Sequence, residues 1–243
     1  MKRFKEFIKE KIKPIVITAV PVHGRHAVKK HSEVECAEDL KEEKQKSWIQ
    51  TNDNAHIGKL HQVHKYLHNL HSDLDKHKHF DYIRHYSDDS QIINSTLIGR
   101  HLRGDSKPIP DSAKTLDKVI KSQKPLEKEL HVYHGTNTWN PGEEASKHPE
   151  RLVHMPAFTS TTISKRRVKH YTSEEHNPVG EAGSHVLHIR LKPGQHGAYI
   201  GDHGSWENEH EFLLPHSQTL RVHSEPIESA GMHIWRAEIV HDH

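Results

Sequence analysis

The character of the chain changes at Pro125, and that change limits the fold more than any other feature. Before it, Trp48, Ile57, Leu60, Val63, Leu67, Leu70 and Leu74 recur at three- and four-residue steps, the period of a helix with one buried face. The segment FDYIRHYSDDSQIINSTLIGRHLRG (80–104) reads as a helix end, a polar turn and a second short helix. GDSKPIPDS (104–112) is a loop, and DSAKTLDKVIKS (111–122) is expected as a helix opened by an Asp or Ser cap. After Pro125 the apolar residues gather into short β-rich runs between Gly and Pro loops: LHVYHGT, HVLHIRLKP, EFLLPHSQTLRVHSEPI and HIWRAEIV. Helices first and strands second predict an α+β domain.

Hydrophobic residues make up 32% of the 243, and mean hydropathy is -0.89, so a small core with long polar flanks is expected. Residues 1–45 are charged and form the flank; residues 46–243 form the domain. The net charge of +2 implies no broad nucleic-acid-binding field. A single cysteine, Cys36, excludes an intramolecular disulfide framework. The longest apolar run, PIVITAVPV, falls well short of the ~20 residues that cross a bilayer, so no membrane partner is expected.

Twenty-eight histidines are spread along the chain. His61, His64, His68 and His71 would share a helical stripe, but no HExxH motif accompanies them and no acid stands as a partner. They are expected to be polar surface residues rather than metal ligands, and no metal is expected.

ENEHEFLLP (207–215) poses the sharper problem. Glu209 and Glu211 stand two apart at the mouth of an apolar strand, on one face if the strand extends back to them, with Glu207 beside them. Acids crowded against a buried strand cost stability, which a functional role would offset. Two other segments share the β region: LHVYHGT (130–136), a strand ending in polar residue and Gly, and MPAFTSTT (155–162), an aromatic followed by hydroxyls. Taken singly, each is more often a strand edge or a solvated face than a site.

In this order, the three segments resemble the mono-ADP-ribosyltransferases of the Arg–Ser–Glu class. That family carries an aromatic–Arg–Gly strand, an aromatic-x-Ser-Thr-Ser strand and Glu-x-Glu before an apolar strand. The helical segment with its Ile-Asn pair, and HVLHIRLKPGQHGAYIG, extend the likeness from about Ser47 to Val240. The resemblance implies helices followed by two packed sheets around an NAD cleft, with NAD as co-substrate. It implies that Glu211 stabilises the positive charge that develops on ribose as nicotinamide leaves. Ser160 would orient Glu211 and line the nicotinamide pocket, Phe158 would pack beneath it, and Thr161 and Thr162 would complete the strand. Tyr133, His134 and Gly135 would approach the dinucleotide. Glu209 would go with arginine acceptors on host proteins, and Trp206 with target recognition or ordinary loop packing.

One position departs from the pattern. Where the family has Arg, this chain has His134, and VYHGT resembles instead the diphtheria-toxin and poly-ADP-ribose-polymerase branch, which also binds NAD. Arg would present a permanent forked cation; His presents at most two donors and a pH-dependent charge. The N-terminal MKRFKEFIKE resembles the capsid-targeting leaders of internal head proteins in T-even-like phages, with cleavage expected after Glu10 or, second, after Glu42. That likeness implies packaging in a phage head and action in the host. Water as acceptor, or a transferase fold without activity, are the alternatives the sequence leaves open.

Overall fold

The computed structural model describes residue 48 and residues 51–72, 74, 79–105, 108–136, 139–172, 184–201 and 210–241. The leader, Cys36, Trp206, Glu207 and Glu209 lie outside the described residues. Three helices come first: α1 (Leu60–Leu70), α2 (His79–Leu102) and α3 (Asp111–Ser122). Then follow β1 (Leu130–Thr136), α4 (Pro141–Ser146), β2 (Leu152–Met155), β3 (Thr159–Thr162) and α5 (Lys165–Thr172). The chain closes with β4 (His185–Leu191), β5 (Ala198–Tyr199), β6 (Glu211–Leu214), β7 (Gln218–Val222), β8 (Ile227–Ser229) and β9 (Met232–His241). The α+β reading holds.

The helical period predicted from Trp48 to Leu74 narrows to one helix. Leu60, Val63, Leu67 and Leu70 form the buried face of α1. Ahead of it, short polar side chains compete with the helix for backbone groups. Asn54 accepts the His131 N–H at 2.8 Å and donates to the His131 carbonyl at 3.0 Å, so it pairs with β1 as a strand residue would. The polar turn expected in the next segment is a kink within α2, where Asp89 leaves helical geometry (φ -116, ψ 16). The start of α3 also differs: Pro110 is its cap residue and no side chain caps it. Asp111 sits inside the first turn, where a negative charge suits the helix dipole, and pairs with Lys114 at 3.0 Å.

The strands run β2-β7-β9-β4-β1-β3-β6-β5 in one mixed sheet, with β8 beside β9. The two sheets expected from the resemblance are thus joined, but barely. Between β1 and β3 only Tyr133 and Thr162 stand in register, whereas β1 and β4 pair along seven residues, from Leu130↔Leu191 to Thr136↔His185. The central core lies between the two halves, with Leu130, Val132, Leu187, Ile189, Phe212, Leu214, Leu220 and Ala237 packed together. Leu213, alternating with Phe212 and Leu214, packs instead with Phe158, Ile83, Tyr86 and Leu116 under α2 and α3.

The histidines depart most from expectation. His71, His134, His185, His188 and His210 are buried rather than surface filler. A neutral ring can donate once and accept once, so it can satisfy backbone and side-chain groups that an apolar residue would leave orphaned. Burial holds His71 down to about 4 and His188 down to about 3, so both are uncharged at neutral pH.

Candidate active site

Glu211 opens β6 and is buried at 8% exposure, opposite Thr162 of β3. Two contacts fix it. Its carbonyl accepts the Ile200 N–H at 2.9 Å, and its Oε1 accepts the Ser160 hydroxyl at 2.5 Å. The residue before it, His210, is buried with φ 48, a left-handed conformation uncommon outside glycine. Its carbonyl is held by the Ile163 N–H at 3.2 Å, so the chain turns sharply just where Glu211 enters the strand. Burial pushes the Glu211 carboxyl up to about 7, against the lowering effect of the Ser160 hydrogen bond. A carboxylate held this way is costly in the resting protein and strong against a developing positive charge.

The neighbouring strand β3 and the residue leading into it supply the rest. Phe158 is fully buried and packs edge-to-face on Tyr86 of α2, ring centroids 5.6 Å apart. Thr162 accepts the Ser164 N–H at 3.1 Å and lies across from Glu211. Thr161 turns away, its hydroxyl donating to the Phe212 carbonyl. It secures β3 to β6.

His134 sits where β1 and β3 part. Its Nδ1–H donates to the Ser160 carbonyl at 2.8 Å, replacing a ladder bond with a side-chain bond. That fixes the tautomer, leaving Nε2 as an acceptor. Nε2 is buried and has no hydrogen-bond partner among the described residues. Burial lowers the pKa of the ring, outweighing the Ser160 bond, so it is neutral.

Two expected dinucleotide contacts have other work. Tyr133 donates to Asp53 at 2.9 Å and packs edge-to-face on Trp48. Asp53 also pairs with the buried Lys165 at 2.6 Å. Burial opposes charge on Asp53, yet the Lys165 hydrogen bond holds it below the usual carboxylate range. Gly135 is needed by α5: a Cβ there would lie 2.9 Å from the Val168 carbonyl and 2.9 Å from the Tyr171 Cβ. Its missing side chain lets the helix approach.

Two residues near Glu211 were not singled out in the sequence. Asn94 of α2 donates to the Tyr86 hydroxyl at 3.0 Å and to the Phe158 carbonyl at 3.3 Å. Burial, and then the charge of Glu211, push the Tyr86 phenol well above its usual range. The signal was present in the aromatic helix with its Ile-Asn pair, but periodicity alone does not say which aromatic reaches the carboxylate.

A sequence model of the ADP-ribosyltransferase exoenzyme family matches residues 58–235. This chain belongs to that family. No curated protein matches it. Among solved structures it is similar to an ADP-ribosyltransferase of Clostridium botulinum, at 16% identity and TM-score 0.56, over 74% of this chain and 95% of that one. An S. aureus protein solved with NAD has 18% identity and TM-score 0.55, over 74% and 95%. An ADP-ribosyltransferase toxin of Paenibacillus larvae has 16% identity and TM-score 0.55, over 74% and 96%. Identities this low speak for the fold.

NAD is the co-substrate of the exoenzyme family, and the chain transfers ADP-ribose from it. The residues fit that ligand: a buried carboxylate, a serine clamped to it, and an orphaned imidazole acceptor beside that serine. Among the described residues, no group of three His, Cys, Asp or Glu could hold a metal ion.

Proposed function

We propose that the acceptor is the arginine side chain of a host protein. One observation carries this reading: Ser160 clamps Glu211 as the ribose-facing carboxylate, which leaves Glu209, two positions upstream in the sequence, as the acid for the acceptor in the Glu-x-Glu pair. Breaking the nicotinamide–ribose bond releases nicotinamide and leaves positive charge on the sugar, which Glu211 stabilises. A guanidinium is always protonated and cannot attack until it gives up a proton. A second carboxylate can bind it by forked hydrogen bonds and take that proton as the nitrogen closes on the ribose carbon. Incubation with labelled NAD and a bacterial lysate, followed by mapping of modified residues, tests this directly. Label on arginine supports it; label on another side chain overturns it; steady NAD loss with no labelled protein supports the glycohydrolase alternative.

Glu209→Gln separates the two acids. Transfer to arginine should fall strongly while slow NAD hydrolysis persists, because water needs no guanidinium site. Equal loss of both activities would remove Glu209 as an acceptor residue.

We further propose packaging in a phage head, from which the protein would enter the host with the DNA; the likeness of MKRFKEFIKE to capsid-targeting leaders supports this reading. Virion-derived protein should then begin at Lys11 or, second, at Glu43. Particles that lack the protein, or that carry it with Met1–Glu10 intact, would overturn this placement.

A further inference from the structure

We propose that His71, one residue beyond α1, is a positioning residue for Glu211, acting through the edge strand β5. The proposal rests on Glu211 as the catalytic carboxylate. β5 has two residues and, among the described residues, pairs only with β6, Ala198 to Leu213 and Tyr199 to Phe212. The next residue, Ile200, gives its N–H to the Glu211 carbonyl at 2.9 Å, so the main-chain anchor of the carboxylate depends on where β5 lies. An edge strand this short has little ladder of its own. The Tyr199 N–H alternates with that of Ile200 and points away from β6, where no strand of the described residues lies.

His71 fills that gap. Its Nδ1 accepts the Tyr199 N–H at 2.9 Å, and its Nε2–H donates to the Lys124 carbonyl at 3.2 Å. Its ring lies 6.0 Å from that of Phe212, tilted by 35°. One side chain thus joins the end of α1, the approach to β1 and the outer edge of the catalytic strands. From the facing turn of α1, His64 Nδ1 meets the Tyr199 hydroxyl at 2.6 Å.

Only one form of the ring can do this. Nδ1 must carry a lone pair and Nε2 a proton; an imidazolium would set N–H against N–H. The surroundings enforce that form: burial first, opposed by the Lys124 carbonyl and assisted by the nearby His196. Without the clamp, β5 slackens, the Ile200 bond to Glu211 loosens, and water reaches the carboxylate from the edge.

The test uses the full chain with His71→Leu and His71→Gln. Leucine fills the space but accepts nothing; glutamine keeps an acceptor and a donor. For His71→Leu, the Tyr199 amide should exchange at least about tenfold faster, since its hydrogen bond is gone. The kcat for nicotinamide release should fall at least about tenfold, because small misplacements of a catalytic group are costly. The acid limb of kcat should move below the wild-type value of about 7 as Glu211 gains water, a change that mere loss of stability would not produce. His71→Gln should stay within about threefold of wild type on each measure. A folded His71→Leu protein with wild-type kcat, limb and Tyr199 exchange overturns the proposal, as does a glutamine variant no better than leucine. If His71→Leu does not fold, the wild-type protein decides. Tyr199 exchange, referred to that of Phe212, should quicken as pH falls through about 4, and its failure to do so overturns the clamp. The exchange readout does not depend on the role of Glu211, so the two readings fail separately.

Discussion

Glu211→Gln is expected to lower nicotinamide release and transfer together by on the order of 10²–10³, the loss typical of one well-placed transition-state charge. The same substitution is expected to make the protein more stable. Burial pushes the Glu211 carboxyl up to about 7 from the ordinary 4.5, so folding disfavours its ionised form. A raised folded pKa leaves stability intact below about pH 4.5, erodes it as pH climbs toward 7, and leaves the full deficit above that. The difference of 7 and 4.5 is 2.5 units, on the order of 3 kcal/mol. Glutamine keeps the acceptor for the Ser160 hydroxyl and carries no charge. Glu211→Gln should therefore melt several degrees above wild type at about pH 9 and close to it at about pH 5. Wild-type activity should also rise with pH through about 7, as the buried carboxyl ionises. A folded Gln variant with near-normal turnover would sink the catalytic assignment. Equal melting at both pH values would show that the carboxylate is not strained in the resting protein.

That pair of effects would account for Glu211, a carboxylate opening an apolar strand, and separates what the sequence could say from what it could not. LHVYHGT and HVLHIRL coincide with β1 and β4 because apolar residues on both faces leave no other arrangement. Ser160 and Glu211 were legible from type and order, and β3–β6 pairing brings them together. Tyr133 was not. A tyrosine beside a ligand-binding histidine and a tyrosine anchored to a half-buried aspartate look identical until Asp53, eighty positions upstream, is seen to meet it. Gly135 hides a second requirement in the same way, since the close approach of a helix also demands a glycine there. The histidines were the least legible. Composition suggested surface residues, whereas burial of His71, His134 and His188 follows from long-range hydrogen bonds that carry no local signature.

His134 carries the second large effect, and its geometry supports the neutral of its two possible roles toward the dinucleotide, the one the sequence also favours. As an imidazolium it would stand in for the family's Arg against the pyrophosphate, and NAD affinity would weaken as pH rose through its pKa. The ring is instead neutral. Its Nδ1–H is committed to the Ser160 carbonyl at 2.8 Å, and burial lowers its pKa. What remains is the Nε2 lone pair, buried and without a partner among the described residues. A lone pair cannot bind a phosphate oxygen, but it can accept the proton of a ribose hydroxyl. The Michaelis constant for NAD should therefore hold steady from neutral to mildly alkaline pH. His134→Ala removes that acceptor and orphans the Ser160 carbonyl, a loss of roughly 1–3 kcal/mol, or about 5- to 160-fold in the Michaelis constant. Some loss of turnover should accompany it, because the same bond holds β3 where it parts from β1. His134→Arg should not rescue function: guanidinium has five donors and no acceptor, so it cannot receive the hydroxyl, and it brings a charge into a site that burial has kept neutral. An Arg variant that binds NAD more tightly and turns over faster would show instead that this position is an eroded Arg, whose neutral histidine is a tolerated remnant rather than a ribose contact.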